Sequence, residues 1–332
     1  MNNLTIVTVN YYTSDYIGRL ISSIRHNDPG FNFHFSVVNN SPEEDITPFS
    51  AEKDKQYILP MPYNAGFARA NNAGIRASHS EVVLLLNPDT LVEDDAISRC
   101  CERFVQSGHV ACGVQLLNED RSPQISGSHF ITGGINHFLP LPFVGTVVQK
   151  LGYLMKVKKT SVKEASGEIV VDWINGAFLM VKRSAIEKAG MLDEDFFLYA
   201  EEIEWCSRLR KVGTLCVYGD LHVIHLEGQS SNESFGSSGK GYYNLYDDKG
   251  KQIMVSNFLR IRKQFGASWF LIHLLVYLFT VPIFLAGLFI QKLFFVRGYS
   301  WKQLAGYCKN VAYVLGLSGK MIANKPHFYK AI

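Results

Sequence analysis

The sequence predicts an α/β protein, a parallel sheet with helices on both faces, followed by a helical, membrane-associating region in the last quarter of the chain. Three observations predict it. Short apolar, β-branched runs alternate with segments of helical period. Polar residues follow those runs, at the strand ends where such sheets bind ligands. Residues 269–290 then form a 22-residue stretch without a formal charge.

Taken in order, Leu4–Val9 (LTIVTV) is a continuous apolar run, as expected of a strand buried on both faces. A helix follows from Asp15, with Ile17, Leu20, Ile21 and Ile24 at helical spacing. FHFSVVNNS (33–41) and QYILP (56–60) read as the second and third strands, and EVVLLL (81–86) as the fourth. Between the last two, Ala68–Ala77 reads as a helix entered through the loop Asn64-Ala65-Gly66. Thr8, Asn39 and Asp89 all fall at the ligand-binding ends of these strands. Asn87-Pro88-Asp89-Thr90 is turn chemistry, and Asp89 or Thr90 is expected to cap a helix near 94–105.

Residues 120–168 are rich in Gly, Ser and Pro and then basic (Lys156, Lys158, Lys159, Lys163), which predicts a long loop or flap over the site. Order returns near 169, and TLCVYGDLHVIH (214–225) is a further strand before a polar, Gly/Ser-rich stretch. No internal repeat is present. The expected division is a catalytic domain over 1–230 and a helical, membrane-associated region over 231–332. Basic residues flank the apolar stretch on both sides, Arg260, Arg262 and Lys263 before it and Lys292, Arg297 and Lys302 after it, and Pro282 lies inside it. A simple span should show a one-sided bias. A broken hairpin or in-plane helix pair returning to the cytoplasmic face fits better, with a buried core helix as the alternative.

The 332 residues are 47% hydrophobic with a formal net charge of +3, too small to argue for nucleic acid. The six cysteines form no CxxC pair and suggest neither a zinc site nor a disulfide framework, but thiols in a reducing compartment. No basic region or cleavage site surrounds LTIVTV, so a first strand on the cytoplasmic side is expected rather than a signal peptide.

Four stretches carry candidate chemistry. Asp89 sits where a carboxylate can share Mg²⁺ or Mn²⁺ with a diphosphate, although in isolation a turn or N-cap role is the commoner explanation of such a residue. In YAEEIEWCSRLRKVG (199–213), an acidic cluster beside aromatic residues suits a general base, against the plainer alternative of an exposed helix with a Glu204–Arg208 ion pair. His222 and His225, three apart in a strand, point to opposite faces, and His225 at the strand end is the better candidate. NAGFARANNAGI (64–75) opens a helix whose N-terminus favours anions, and Arg69 lies within reach of a phosphate there; the GxGxxG and P-loop spacings are absent.

Together, VTVNYY (7–12), VVNNS (37–41), NAGFARANNAGI, LLLNPDT (84–90), INGAFLMVKRSAI (174–186), FFLYAEEIEWCSRLRKVG (196–213) and the His225 strand end resemble the inverting family 2 glycosyltransferases of GT-A, Rossmann-like fold, in the bacterial rhamnosyltransferase-like branch. The resemblance covers about residues 4–230. It implies that Asp89 is the metal and diphosphate ligand, with Asn87 standing where many members have a first Asp, and His225 near the metal. It implies Thr8 and Asn39 beside the nucleotide base, and Arg208 near the diphosphate or metal. Trp173, Asn175 and Gly176 would line the acceptor side. Glu202 aligns with the family's base, Glu201 being next. The implied reaction is a single inverting displacement from a dTDP- or UDP-sugar, rhamnose among the sugars, onto a lipid-linked or polysaccharide acceptor at the cytoplasmic face of the membrane. A catalytically weak sugar-nucleotide-binding or scaffold protein is the alternative that Asn87, Asn39 and Glu202 leave open. A metal-dependent phosphodiesterase would want a denser Asp/His cluster.

Overall fold

The structure is a computed structural model describing residues 4–29, 32–49, 56–157, 160–226 and 244–332. Strands β1 (Leu4–Asn10), β2 (Phe33–Asn39), β3 (Gln56–Pro60) and β4 (Val82–Leu86) pair in parallel, joined through α1 (Ser14–Asn27) and α2 (Gly66–Ala77). The strand pleat sorts their side chains. Leu4, Ile6, Phe35, Val37, Leu84 and Leu86 share one core with α1 and with α3 (Ala96–Gln106). Val7 and Val38 take the opposite face and meet α2, so closely that a Cβ on Gly74 would lie 2.4 Å from the Val7 side chain. Helices therefore cover both faces of the sheet, as the sequence predicts.

The sheet is mixed rather than wholly parallel. β11 (Phe178–Lys182) lies antiparallel between β4 and β6 (Ala111–Leu117), and β12 (Leu215–His225) runs parallel to β6. Beyond β12 comes a three-residue strand, β5 (Thr90–Val92), and β9 (Glu168–Val171) pairs with the first half of β12. The order is β3-β2-β1-β4-β11-β6-β12-β5. β10 (Trp173–Ile174), β7 (Gly127–Ser128) and β8 (Ser161–Val162) form a second small sheet, and helices α5 (Arg183–Ala189) and α6 (Glu201–Leu209) complete this part. The expected cap is corrected. Thr90 opens β5, its hydroxyl donating to the Asn87 carbonyl, and α3 starts only at Ala96, after Asp95 at φ 53°.

The chain forms two compact units, and Phe130–Thr160, Leu198–Ala200 and the C-terminal helices make up the second. The second unit holds a 3-10 stretch (Thr132–Phe138), α4 (Val144–Leu154), α7 (Asp248–Phe265), α8 (Ala267–Leu293) and α9 (Trp301–Ala323). The predicted loop over 120–168 thus carries regular structure. α4 escapes the pattern because its glycines and valines are weak helix formers. The predicted hairpin break at Pro282 is also corrected: α8 runs through it as one helix, losing one amide donor. His273, Tyr277, Thr280 and Gln291 of α8 are buried. Tyr277 donates to the His137 carbonyl, and Thr280 to the Val276 carbonyl. The polar stretch after His225 lies mostly outside the described residues, as do Lys158 and Lys159.

Gly66, at φ +77°, lets α2 begin against the Phe197 carbonyl, which accepts from the Phe67 amide; a Cβ on it would lie 2.3 Å from that oxygen. Gly66→Ala is expected to cost about 2–3 kcal/mol, seen as a lower melting temperature in calorimetry.

Candidate active site

The end of β4 is fixed from below by Thr8. Its hydroxyl is fully buried and donates to the Leu86 carbonyl at 2.6 Å. Thr8 therefore supports the start of the Asn87-Pro88-Asp89 turn. Beyond that turn, β5 pairs antiparallel with the end of β12, His225 opposite Thr90, and the Leu226 amide donates to the Asp89 carbonyl. This pairing brings the buried Asp89 carboxylate to 3.5 Å from His225 Nε2.

The state of that imidazole follows from its other nitrogen. Gln124 Nε2 donates to the His225 carbonyl and to Asn118 Oδ1, both at 2.7 Å, so Gln124 Oε1 is the acceptor end of the amide. His225 Nδ1 lies 2.9 Å from that oxygen and must be the donor. Nε2 is left facing a carboxylate. A carboxylate and an imidazole nitrogen thus stand side by side in a buried place, two groups of the kind that ligate divalent cations. Among the described residues no third His, Cys, Asp or Glu joins them. His222 is exposed, as predicted for the other face of the strand.

The second carboxylate group is built by α6. Two successive non-glycine residues in the left-handed region, Tyr199 (φ 73°) and Ala200 (φ 65°), turn the chain into this helix, a geometry that costs about 1–3 kcal/mol each. Glu201 is then buried, and among the described residues its Oε2 finds no hydrogen-bond partner. Burial, and next the neighbouring Glu202 charge, hold its carboxyl well above the usual carboxylate range. A carboxyl kept neutral is a poor base; the adjacent Glu202 is half-buried. Glu202 lies against Gly176, where a Cβ would be 3.4 Å from its Cγ. The next residue, Ala177, accepts from the Asn87 amide at 3.0 Å. One turn, Asn175-Gly176-Ala177, thus touches both the Asp89 loop and Glu202. Asn175 holds the turn by accepting from the Ala177 amide and donating to the Ile125 carbonyl. Trp173 sits half-buried beside it, paired with Ser128.

With this geometry in hand, likeness to known proteins is informative. The family model for glycosyl transferase family 2 matches residues 5–166. The low-salt glycan biosynthesis hexosyltransferase Agl10 of Haloferax volcanii is 30% identical over 267 residues, covering 77% of this chain and 76% of that protein. The chain is a family 2 glycosyltransferase. Within the family it falls in the rhamnosyltransferase-like branch, where the rhamnosyltransferase WbbL of Escherichia coli is 23% identical over 69% of this chain and 85% of its own length. A mannosyltransferase of Pyrobaculum calidifontis, solved with GDP-Man and Mn²⁺, shares the fold at a TM-score of 0.53 and 14% identity, covering 97% of this chain and 87% of that one.

In this glycosyltransferase, three sequence candidates turn out to be occupied elsewhere. Arg208 was expected near the diphosphate. Its Nε and Nη2 instead donate to Glu204, and Nη1 and Nη2 to the Ala189 and Met191 carbonyls. The Glu204–Arg208 pair is real, but Glu204 is buried and the pair clamps the α5–α6 turn rather than decorating an exposed helix. Arg69 donates to the Glu194 carbonyl and the Tyr63 hydroxyl. Asn39 accepts from Asn10 Nδ2 and the Ser41 amide and donates to the Glu44 carbonyl, so it knits the ends of β1 and β2. Asn10 and Gln124 are the residues that sequence reasoning missed. Gln124 has no local signal, because its partners are up to 101 positions away.

The raised Glu201 carboxyl makes stability depend on pH. Its folded pKa exceeds the unfolded value, so stability is full below the ordinary value of 4.5 and is lost as pH rises above it. Glu201→Gln is expected to melt above the wild type at about pH 8, with the difference closing as the pH approaches the ordinary Glu value. Equal melting temperatures across that range would show that Glu201 is not held neutral.

Proposed function

We propose that this enzyme transfers a sugar, with inversion, from a dTDP- or UDP-activated donor to a hydroxyl of a lipid-linked or polysaccharide acceptor during surface glycan synthesis. The observation that carries this is the Asn175-Gly176-Ala177 turn, which ties the Asp89 loop and Glu202 into one site. The Asp89–His225 edge takes the diphosphate side. The Asn175-Gly176 turn and Trp173 take the acceptor side.

Glu202 is the base that accepts the acceptor hydroxyl proton as the oxygen attacks the anomeric carbon. The bond to the donor phosphate oxygen breaks from the opposite side, so no covalent enzyme intermediate forms. Asp89 and His225 fit a divalent cation: one carboxylate and one imidazole lone pair, 3.5 Å apart, compatible with neighbouring positions on one Mg²⁺ or Mn²⁺. When bound, such an ion supplies charge neutralisation for the leaving diphosphate. Gln124 fixes the imidazole so that Nε2 is available, and Asn87 offers a neutral amide beside the same edge. Arg69 and Asn39 serve the frame of the donor pocket, holding α2 and the β1–β2 ends. The apolar α8, with basic residues on either side, supports association with the cytoplasmic face of the plasma membrane, where a lipid-linked acceptor resides.

Glu202→Gln is expected to bind the donor as the wild type does and to lose about 10²–10⁴-fold in transfer, measured as nucleoside diphosphate release in membranes supplied with a lipid-linked acceptor. A wild type that binds donor but transfers to no acceptor would favour the scaffold alternative. Gln124→Ala is expected to weaken metal affinity about 10–100-fold, read by titrating Mn²⁺ against donor binding. Unchanged metal affinity would remove Gln124 from the site.

A further inference from the structure

The second unit has an unusual charge. Residues 130–160, 198–200 and 235–332 contain 17 Lys and Arg against two acidic residues, Asp247 and Asp248, whereas the rest of the chain has 16 Lys and Arg against 28 Asp and Glu. A chain of nearly balanced charge is therefore sharply divided along its length, and the basic part is also where the exposed apolar residues gather.

α4 is built inside out. Val147, Leu151, Leu154 and Met155 recur at i, i+4, i+7 and i+8, the stripe that normally packs on a core. Here they are 58%, 52%, 79% and 76% exposed, and within the helix only Gly145 is buried. Phe143, just before α4, packs on Phe284 and Tyr299 and fills the space over Gly287 of α8. α4 is thus anchored to the half of α8 whose outward side chains, Phe279, Ile283, Phe289 and Ile290, are also exposed. Lys150, Lys156, Lys292 and Arg297 are exposed around these residues.

We infer that α4 and the outward face of α8 form one membrane-docking surface that inserts in the plane of an anionic phospholipid bilayer, α8 not crossing it. This rests on the membrane association proposed above and adds a second inserting element and an orientation. Charge complementarity names the occupant, since a strongly basic unit with an apolar face matches anionic headgroups over acyl chains. The neighbours of α8 argue against a span. α7 packs along it through Phe258 on Phe270 and Tyr277, and α9 through Tyr307 on Tyr277 and Phe284 and Trp301 on Phe289. Crossing would drag Arg260, Arg262 and Lys263 of α7 and Lys309 of α9 towards the hydrocarbon, where such charges are costly.

The test uses the purified full-length chain without sugar donor, floated with vesicles of phosphatidylcholine alone or mixed with phosphatidylglycerol. The wild type is expected to bind the mixed vesicles and to be released by salt. L151E/L154E should bind at least about tenfold more weakly, with an unchanged melting temperature and unchanged donor binding. Wild-type-like binding by that variant, or wild-type indifference to phosphatidylglycerol, would overturn the inference. So would light scattering showing a dimer that L151E/L154E converts to a monomer, because a second copy would then cover the face. In a Cys308→Ser background, single cysteines at Gly266 and Ser300 should react with an impermeant maleimide from the same side of membrane vesicles, and opposite sides would establish a span. Vesicle binding without glycosyl transfer would count against the proposed reaction and leave this surface standing.

Discussion

Three residue pairs hold the candidate site together. β5 is only Thr90–Val92, yet its ladder with Val223–His225 joins the chain leaving the centre of the sheet to the end of a strand more than a hundred residues later. Without that ladder, Asp89 would be a turn residue and His225 the last residue of an edge strand. With it, a carboxylate and an imidazole face each other 3.5 Å apart in a buried place. The supports follow from the same constraint: Thr8 pins the end of β4, and Gln124 pins the ring of His225.

Much of this fold is legible in the sequence, for a simple reason. β1 to β4, α1 and α2 are each specified by apolar residues at the period of the element, so local pattern suffices. β5 is too short to have a pattern, and nothing local in Phe178–Lys182 says that β11 runs antiparallel between its neighbours. At the site, Asp89, Glu202 and His225 stand out because an acidic or basic side chain at an element's end is visible in the chain. Arg208 shows the limit. Its i,i+4 partner Glu204 can be read from the spacing, but the carbonyls of Ala189 and Met191 that complete its bonding cannot.

The two adjacent glutamates illustrate how one sequence feature is split by environment. Glu201 enters the interior behind a pair of left-handed residues, where burial raises its carboxyl pKa, whereas Glu202 is half-buried beside the Gly176 turn. The strain at Tyr199 and Ala200 is sustained by the buried Trp205 and by the Arg208 clamp, which hold α6 to the preceding turn.

The central claim is that Asp89 and His225 act as one cation-dependent site for the donor diphosphate. A double-mutant cycle on Mn²⁺-dependent binding of a nucleoside diphosphate, by titration calorimetry, tests it most directly. Asp89→Asn and His225→Gln should each remove most of the Mn²⁺-dependent gain in affinity, and the double variant should be little worse than either single one. Independent, additive losses, or an undiminished gain in either single variant, would contradict the account.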